Sequence, residues 1–243
     1  LGDFTTGLVF VGAETQVIDE TYDLIGAKFS QGHNYANETT LSFFKPGENL
    51  VYQGIARAYD EGVALRYSLK APDTSALRIQ SEHTQMMLPA DASVWAMPYI
   101  AHHEQVAQNF TPSAMSGRYN MPVLYETNSG AWALISEAAQ STEYCGSDLT
   151  STSGSNALTV SFSAEQSGDV FTQTPFITPW RFVAMGTAGD INLTLMPEHL
   201  SDPCQIEDTS WIEPGVTAWT WLNRESTSDL ATYKRYVDLA QKM

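Results

Sequence analysis

Few side chains in this sequence stand where chemistry would need them, and most have a plainer reading. His102-His103-Glu104 carries metal-binding residue types, but adjacent residues on a strand or loop point apart, so a polar loop is expected. Asp60-Glu61 sits before Gly62 and reads as a turn, not as an acid pair. Glu207-Asp208, just before Thr209-Ser210-Trp211, reads as a helix or loop cap. No Gly-rich phosphate loop, nucleophile elbow or His-x-x-x-His pair occurs. Glu137 is different. It closes the apolar run Trp132-Ala133-Leu134-Ile135-Ser136 and is followed by two alanines. A carboxylate placed there meets a loop with room for a partner, although by itself a solvated strand end is favoured.

The elements that would position such residues follow from composition and periodicity. The chain has 243 residues with 12 Lys+Arg against 28 Asp+Glu, a formal net charge of −16. Charged residues are 16% of the total, below the roughly 25% of an average globular protein, so the charge reflects scarce cations. That balance argues against nucleic acid, which needs Lys/Arg clusters. No apolar run of about 18 residues could span a membrane as a helix, and 43% hydrophobic residues exclude global disorder. Apolar residues alternate at Val63, Leu65, Tyr67 and Leu69 after the Asp60-Glu61-Gly62 turn, and in Val123-Leu124-Tyr125-Glu126 and 132–135 around Asn128-Ser129-Gly130. Each pattern predicts a hairpin. Leu158, Val160 and Phe162 predict another strand, and 182–185 with 191–195 predict a further pair around 187–190. Residues 101–118 read as a long connection and 147–156 as a polar loop. Many short strands point to a mainly β, two-sheet sandwich.

The grammar changes after Pro197. Residues 216–222, Val-Thr-Ala-Trp-Thr-Trp-Leu, predict a strand covered on both faces; Ser226 to Ser228 offer N-caps, with Asp229 in the first turn. Leu230, Tyr233, Val237 and Ala240 recur at helical spacing. Together they make one β/α unit, which needs a larger barrel or sheet. The chain begins Leu1-Gly2-Asp3-Phe4 and stops at Gln241-Lys242-Met243 within the helical pattern, as a processed chain or a piece of one does. Cys145 and Cys204 lack metal-ligand spacing; two free thiols are the favoured reading, and export would make a disulfide between them an alternative. Asn37, Asn109 and Asn192 match the Asn-x-Ser/Thr pattern, which matters only where the source glycosylates.

Several motifs in order resemble glycoside hydrolase family 97: Asp19-Glu20-Thr21-Tyr22, Gly26-Ala27-Lys28, Asn37-Glu38, the stretch from Arg57 to Tyr67, Ser136-Glu137-Ala138-Ala139 and Thr178-Pro179-Trp180-Arg181. Asp208-Thr209-Ser210-Trp211-Ile212-Glu213-Pro214-Gly215, Ala218-Trp219-Thr220-Trp221 and Tyr233-Lys234-Arg235-Tyr236-Val237-Asp238-Leu239-Ala240 continue the series. The resemblance implies a β-super-sandwich over residues 1–197 with its first strands missing. It implies a linker over 198–214 and, over 215–243, the first strand and helix of a truncated (β/α)8 barrel. The activity it implies is calcium-dependent, exo-acting hydrolysis of α-glucosides or α-galactosides, with the catalytic carboxylates on later barrel strands outside this chain.

What carries over is one residue. Glu137 matches the sandwich glutamate that helps hold Ca²⁺ at the family's active site, and Ca²⁺ readily gathers carboxylates from separate elements. Trp219 and Trp221 would pack inside the barrel, or one would form a sugar platform at its mouth. Arg181 is expected to be a structural ion-pair partner. The implied partners are an α-linked oligosaccharide and the remaining barrel, or another chain, over 215–243; the implied address is periplasmic or extracellular. A stand-alone carbohydrate-binding module and a structural or assembly sandwich remain as rivals.

Overall fold

The computed structural model describes residues 6–144, 146–162, 169–225 and 228–242. Two compact units divide the chain: residues 1–22 with 31–203, and residues 23–30 with 204–243. The first is antiparallel β-structure. It opens with two long strands, β1 (Val9–Asp23) and β2 (Gln31–Phe44), then the hairpin β3 (Val51–Tyr59) and β4 (Gly62–Lys70). The hairpin pairs Tyr59 with Gly62 across Asp60-Glu61, as the alternation predicts. Gly62 is needed there because a Cβ would sit 2.3 Å from the Val183 carbonyl.

Shorter strands follow: β5 (Ala76–Ile79), β6 (Gln85–Met87), β7 (Ser93–Pro98), β8 (Gln108–Phe110), β9 (Gly117–Glu126) and β10 (Trp132–Ala138). The series ends with β11 (Ser147–Ser151), β12 (Ala157–Phe162), β13 (Val170–Gln173), β14 (Phe176–Ile177) and β15 (Trp180–Gly186). The main hydrogen-bonded path runs β1-β2-β3-β4-β15-β10-β9-β11-β12-β6, with β7 also on β9 and β14 on β4; β13 pairs with β5 apart from it. The sheets curl into the expected β-sandwich.

Strands β10 and β15 lie centrally and are covered on both faces. Ile135 packs into a cluster with Val94, Val123, Leu149, Leu158 and Val160, whereas its neighbour Leu134 packs on the opposite face against Trp180, Phe182 and Ala184. That second face is closed by Met196 and Leu200 from helix α2 (Met196–His199), which follows helix α1 (Ala188–Leu193). Leu69, Tyr144, Phe162, Val170 and Phe176 form a third cluster. Each fully buried aliphatic or aromatic side chain contributes about 1.5–3 kcal/mol relative to exposure, so the central strands anchor the unit.

Three local expectations change. Residues 147–151 are strand β11, not polar loop: Leu149 is buried and the strand pairs with both β9 and β12. Serines and threonines sit well in a ladder when one apolar residue faces the core. Residues 191–195 do not form a strand. Thr187 Oγ1 accepts from the Asp190 backbone N at 3.2 Å, and Asp190 Oδ2 accepts from the Thr187 backbone N at 2.8 Å. This reciprocal cap starts α1 and overrides the alternation that Leu193 and Leu195 suggest. The connection 101–118 contains β8 and a 3₁₀ turn at Pro112–Ala114.

In the second unit, residues 216–222 form no strand. Trp221–Asn223 is a 3₁₀ turn, and Val216, Trp219, Trp221 and Leu222 are exposed. A parallel strand needs ladder partners on either side, and the described residues offer it none. The helix does form, as α3 (Leu230–Ala240). Its N-cap is Asp229, which accepts from Thr232 N at 2.9 Å, rather than one of the preceding serines; Ser226 lies outside the described residues. Leu230 and Val237 of α3 are exposed.

Candidate functional site

Strand alternation places Glu137 and Arg181 side by side. They are register partners across β10 and β15, on the face that carries Ile135 and Val183, and they form an ion pair with each side chain more than nine-tenths buried. The Arg181 guanidinium also meets Glu82, from the segment between β5 and β6. Nε donates to Glu82 Oε1 at 3.0 Å and Nη2 to Oε2 at 2.7 Å. Nη2 further reaches Tyr144 Oη at 3.1 Å and Ser147 Oγ at 3.0 Å. Tyr144 Oη donates in turn to Glu82, and Thr84 Oγ1 donates to Glu82 Oε1 at 2.7 Å. Two buried carboxylates thus share one guanidinium.

The electrostatics follow from that geometry. Burial alone would raise the Glu82 carboxyl, but Arg181, through its hydrogen bonds and charge, outweighs it and holds Glu82 below the usual glutamate range. Burial would lower the Arg181 guanidinium, and Glu82 more than reverses this. Burial pushes the Tyr144 phenol upward, and the Glu82 charge pushes it further, so it stays a donor.

Glu137 faces a cavity of about 350 Å³, also lined by Tyr99, His103, Gln140, Ser147 and Asp148. Its Oε1 accepts from the Ser147 backbone N at 2.8 Å, while Oε2 takes the Arg181 bond. A carboxylate offers about four lone-pair sites and these two bonds take one on each oxygen, so about two remain for a ligand in the cavity. Asp148 is tied to Arg118 Nη1 at 2.8 Å. Among the described residues no group of three or more His, Cys, Asp or Glu side chains forms a metal cluster.

The other sequence candidates lie apart from this cavity or beside it. His103 lines it, with Nε2 3.0 Å from Asn120 Nδ2, whereas His102 and Glu104 are exposed, as a polar loop requires. Asp60 and Glu61 make the expected turn and line a second cavity of about 430 Å³ with His33, Tyr35, Tyr59 and His199. Asp208 Oδ1 accepts from Ser210 N at 3.0 Å, a loop cap. Trp219 and Trp221 belong to the second unit and are 58% and 61% exposed. Cys204 is exposed; Cys145 lies outside the described residues. Sequence reasoning misses Glu82 and Tyr144 altogether, because their partners are 99 and 37 residues away.

Comparison with known proteins identifies the domain that carries this geometry. Residues 2–203 match the family described as Glycosyl-hydrolase 97 N-terminal. A probable retaining alpha-galactosidase of Streptomyces bingchenggensis is 29% identical over 241 residues, 98% of this chain and 37% of that protein. A retaining alpha-galactosidase of Bacteroides thetaiotaomicron is 22% identical over 272 residues, 94% of this chain and 40% of that protein. A glycoside hydrolase family 97 enzyme from Pseudoalteromonas sp. strain K8, solved with acarbose, superposes with a TM-score of 0.83 at 22% identity. The match covers 97% of this chain and 38% of that one. A beta-arabinopyranosidase superposes with a TM-score of 0.70 at 26% identity, covering 76% and 33%. The chain therefore spans about two-fifths of the length of the curated relatives it matches. By the family match over residues 2–203 and the sandwich that those residues build, this chain belongs to glycoside hydrolase family 97 and carries its N-terminal domain.

Proposed function

We propose that this chain is the N-terminal part of a calcium-dependent, exo-acting α-glycosidase, with α-galactosides as first substrate class. The match of residues 2–203 to the family's N-terminal domain carries the reading, and the names of two relatives as retaining alpha-galactosidases favour the galactoside. An α-glucoside is the second reading, favoured by the similar fold of an enzyme solved with acarbose and with panose. The sandwich buttresses the barrel. No catalytic acid, base or nucleophile is assigned to this chain.

The residues around Glu137 suit a hard cation as one part of a larger site. The cavity presents oxygen donors from Glu137, Asp148, Gln140 and Ser147, the chemistry Ca²⁺ prefers. Arg181 balances only one of its two carboxylate partners, so the cluster favours a positive charge on the cavity side. One carboxylate is short of the roughly six to eight oxygens Ca²⁺ takes, so the neighbouring cavity oxygens, water and the barrel would complete the set. A calcium ion bound there supplies positive charge to oxygens that gain negative charge during bond cleavage. Glu137 holds its oxygen toward the cavity, Ser147 fixes the carboxylate plane, and the buried sandwich face keeps water from the ion pair behind it.

The exposed Trp219, Trp221, Leu230 and Val237 fit a barrel that covers them, one tryptophan serving at most as a sugar platform. The reading carries an exported address, periplasmic or extracellular. Assay of the complete gene product on aryl α-galactosides and α-glucosides tests the function. Chelation is expected to abolish activity and Ca²⁺ to restore it. Glu137→Ala is expected to raise the calcium needed for half-activity at least about tenfold. Unchanged calcium titration and turnover in that variant would overturn the metal assignment.

A further inference from the structure

We infer that Glu82, Arg181 and Tyr144 form a positioning device that sets the orientation of Glu137 toward its cation. The inference rests on the reading of Glu137 given above. A glutamate at a strand end has three side-chain torsions and would ordinarily sample several rotamers. Here its Oε2 is held by a guanidinium that cannot itself move. Arg181 has 2% of its side chain exposed and is locked in its own plane by the two-point contact to Glu82. Glu82, 6% exposed, is held by Tyr144 from one side and Thr84 from the other. Thr84 Oγ1 lies 3.0 Å from Tyr67 Oη, which extends the chain of contacts to β4. Removal of any link frees the next one.

A carboxylate with only part of its lone-pair capacity left is a weak ligand if it wanders and a good one if it is fixed. Glu82 touches neither the cavity nor Glu137 directly: it acts through Arg181. It is thus a positioning residue. Outer partners of metal ligands typically change metal affinity about 10–100-fold when removed.

The experiment is calcium titration by calorimetry on the complete protein, with thermal melting recorded alongside. Glu82→Gln keeps the shape, replaces one acceptor oxygen by a donor that Arg181 repels, and is expected to weaken calcium binding about tenfold or more. Tyr144→Phe, milder and able to fold if the first variant cannot, is expected to weaken it a few-fold. Glu38→Gln, which breaks a buried ion pair on the opposite sheet face, is expected to lower the melting temperature with calcium affinity unchanged. Wild-type calcium affinity in both Glu82→Gln and Tyr144→Phe, with loss in Glu137→Gln, would overturn the positioning role. Loss in Glu38→Gln equal to that in Glu82→Gln would also overturn it, because general destabilisation would then explain both. Wild-type affinity in Glu137→Gln would instead sink the Glu137 reading itself.

Discussion

Strand β15 presents opposite electrostatics on its two faces, one residue apart. Trp180 points to the face that α2 covers, where Arg57 and Arg66 sit 4.9 and 4.2 Å from the indole centroid. There two guanidiniums gather on one indole: Arg57 Nε donates to Glu38 at 2.7 Å, while Arg66 feels the charges of Glu38 and Asp202 without a hydrogen bond to either at its Nε. Arg181 points the other way, where one guanidinium serves Glu82 and Glu137. A guanidinium can lie over an aromatic face and keep its charge without a carboxylate in contact. Indeed Arg66 Nε has no hydrogen-bond partner among the described residues. A surplus carboxylate has no such sink. It must be protonated, hydrated or met by a cation, and its cavity is where that cation can enter. The Trp180 side is therefore a structural clamp, and the Arg181 side carries the proposed site.

The sharpest way to break this contrast is to remove each arginine in turn. Arg181→Met leaves two buried carboxylates facing each other without their cation, and a loss of about 3–5 kcal/mol is expected in the urea unfolding transition. A loss below about 1 kcal/mol would mean that the pair is already hydrated. Arg57→Met is expected to cost less, about 1–3 kcal/mol. Glu38 keeps the Gln16 hydrogen bond at 2.7 Å, and Arg66 still attracts it. If the two losses came out equal, the asymmetry between the faces would have no energetic content.

The contrast also explains what was legible in the sequence. Hairpins β3–β4 and β9–β10 can be read from alternation and turn residues, because the sheet face and the local pattern share a period of two. Glu137 stands out at a strand end, but only the family resemblance marks it as a ligand. Its partners cannot be read: Glu82 lies in a polar segment with no periodicity, and the register that brings Arg181 opposite Glu137 is set by a pairing 44 residues away. Strand β11 is lost among Ser and Thr because Leu149 alone marks its buried face. Helix α1 reads as a strand until the Thr187–Asp190 cap is weighed above the spacing of leucines. The alternation at 216–222 predicts a strand, but the described residues give it no ladder partner and Trp221–Asn223 is a 3₁₀ turn instead.

The smallest effect concerns pH and belongs to the Trp180 face. His199 closes α2 with Nδ1 2.7 Å from Tyr22 Oη, its ring stacked on Tyr59, and Nε2 3.7 Å from Glu61. Tyr22 itself is pushed up to about 12, first by burial and then by Glu198, so its hydroxyl remains a donor and His199 Nδ1 accepts. Burial lowers the imidazole below its ordinary value; the His33 charge adds to this, while Glu198 opposes it. A histidine lowered in the folded state leaves stability intact above the unfolded value near 6.5. As pH falls through that value the unfolded chain takes up the proton first, and stability drops until the folded imidazole also titrates. Glu82 and Glu38, both held below the ordinary 4.5, add their own loss only as pH falls further, through the range below that value. Urea midpoints between pH 8 and 5.5 are therefore expected to fall in the wild type and to stay flatter in His199→Gln, with the two curves running parallel again at lower pH. Parallel curves across the whole range would show that His199 does not titrate with folding, and would leave acid sensitivity to the carboxylates on both faces of β15.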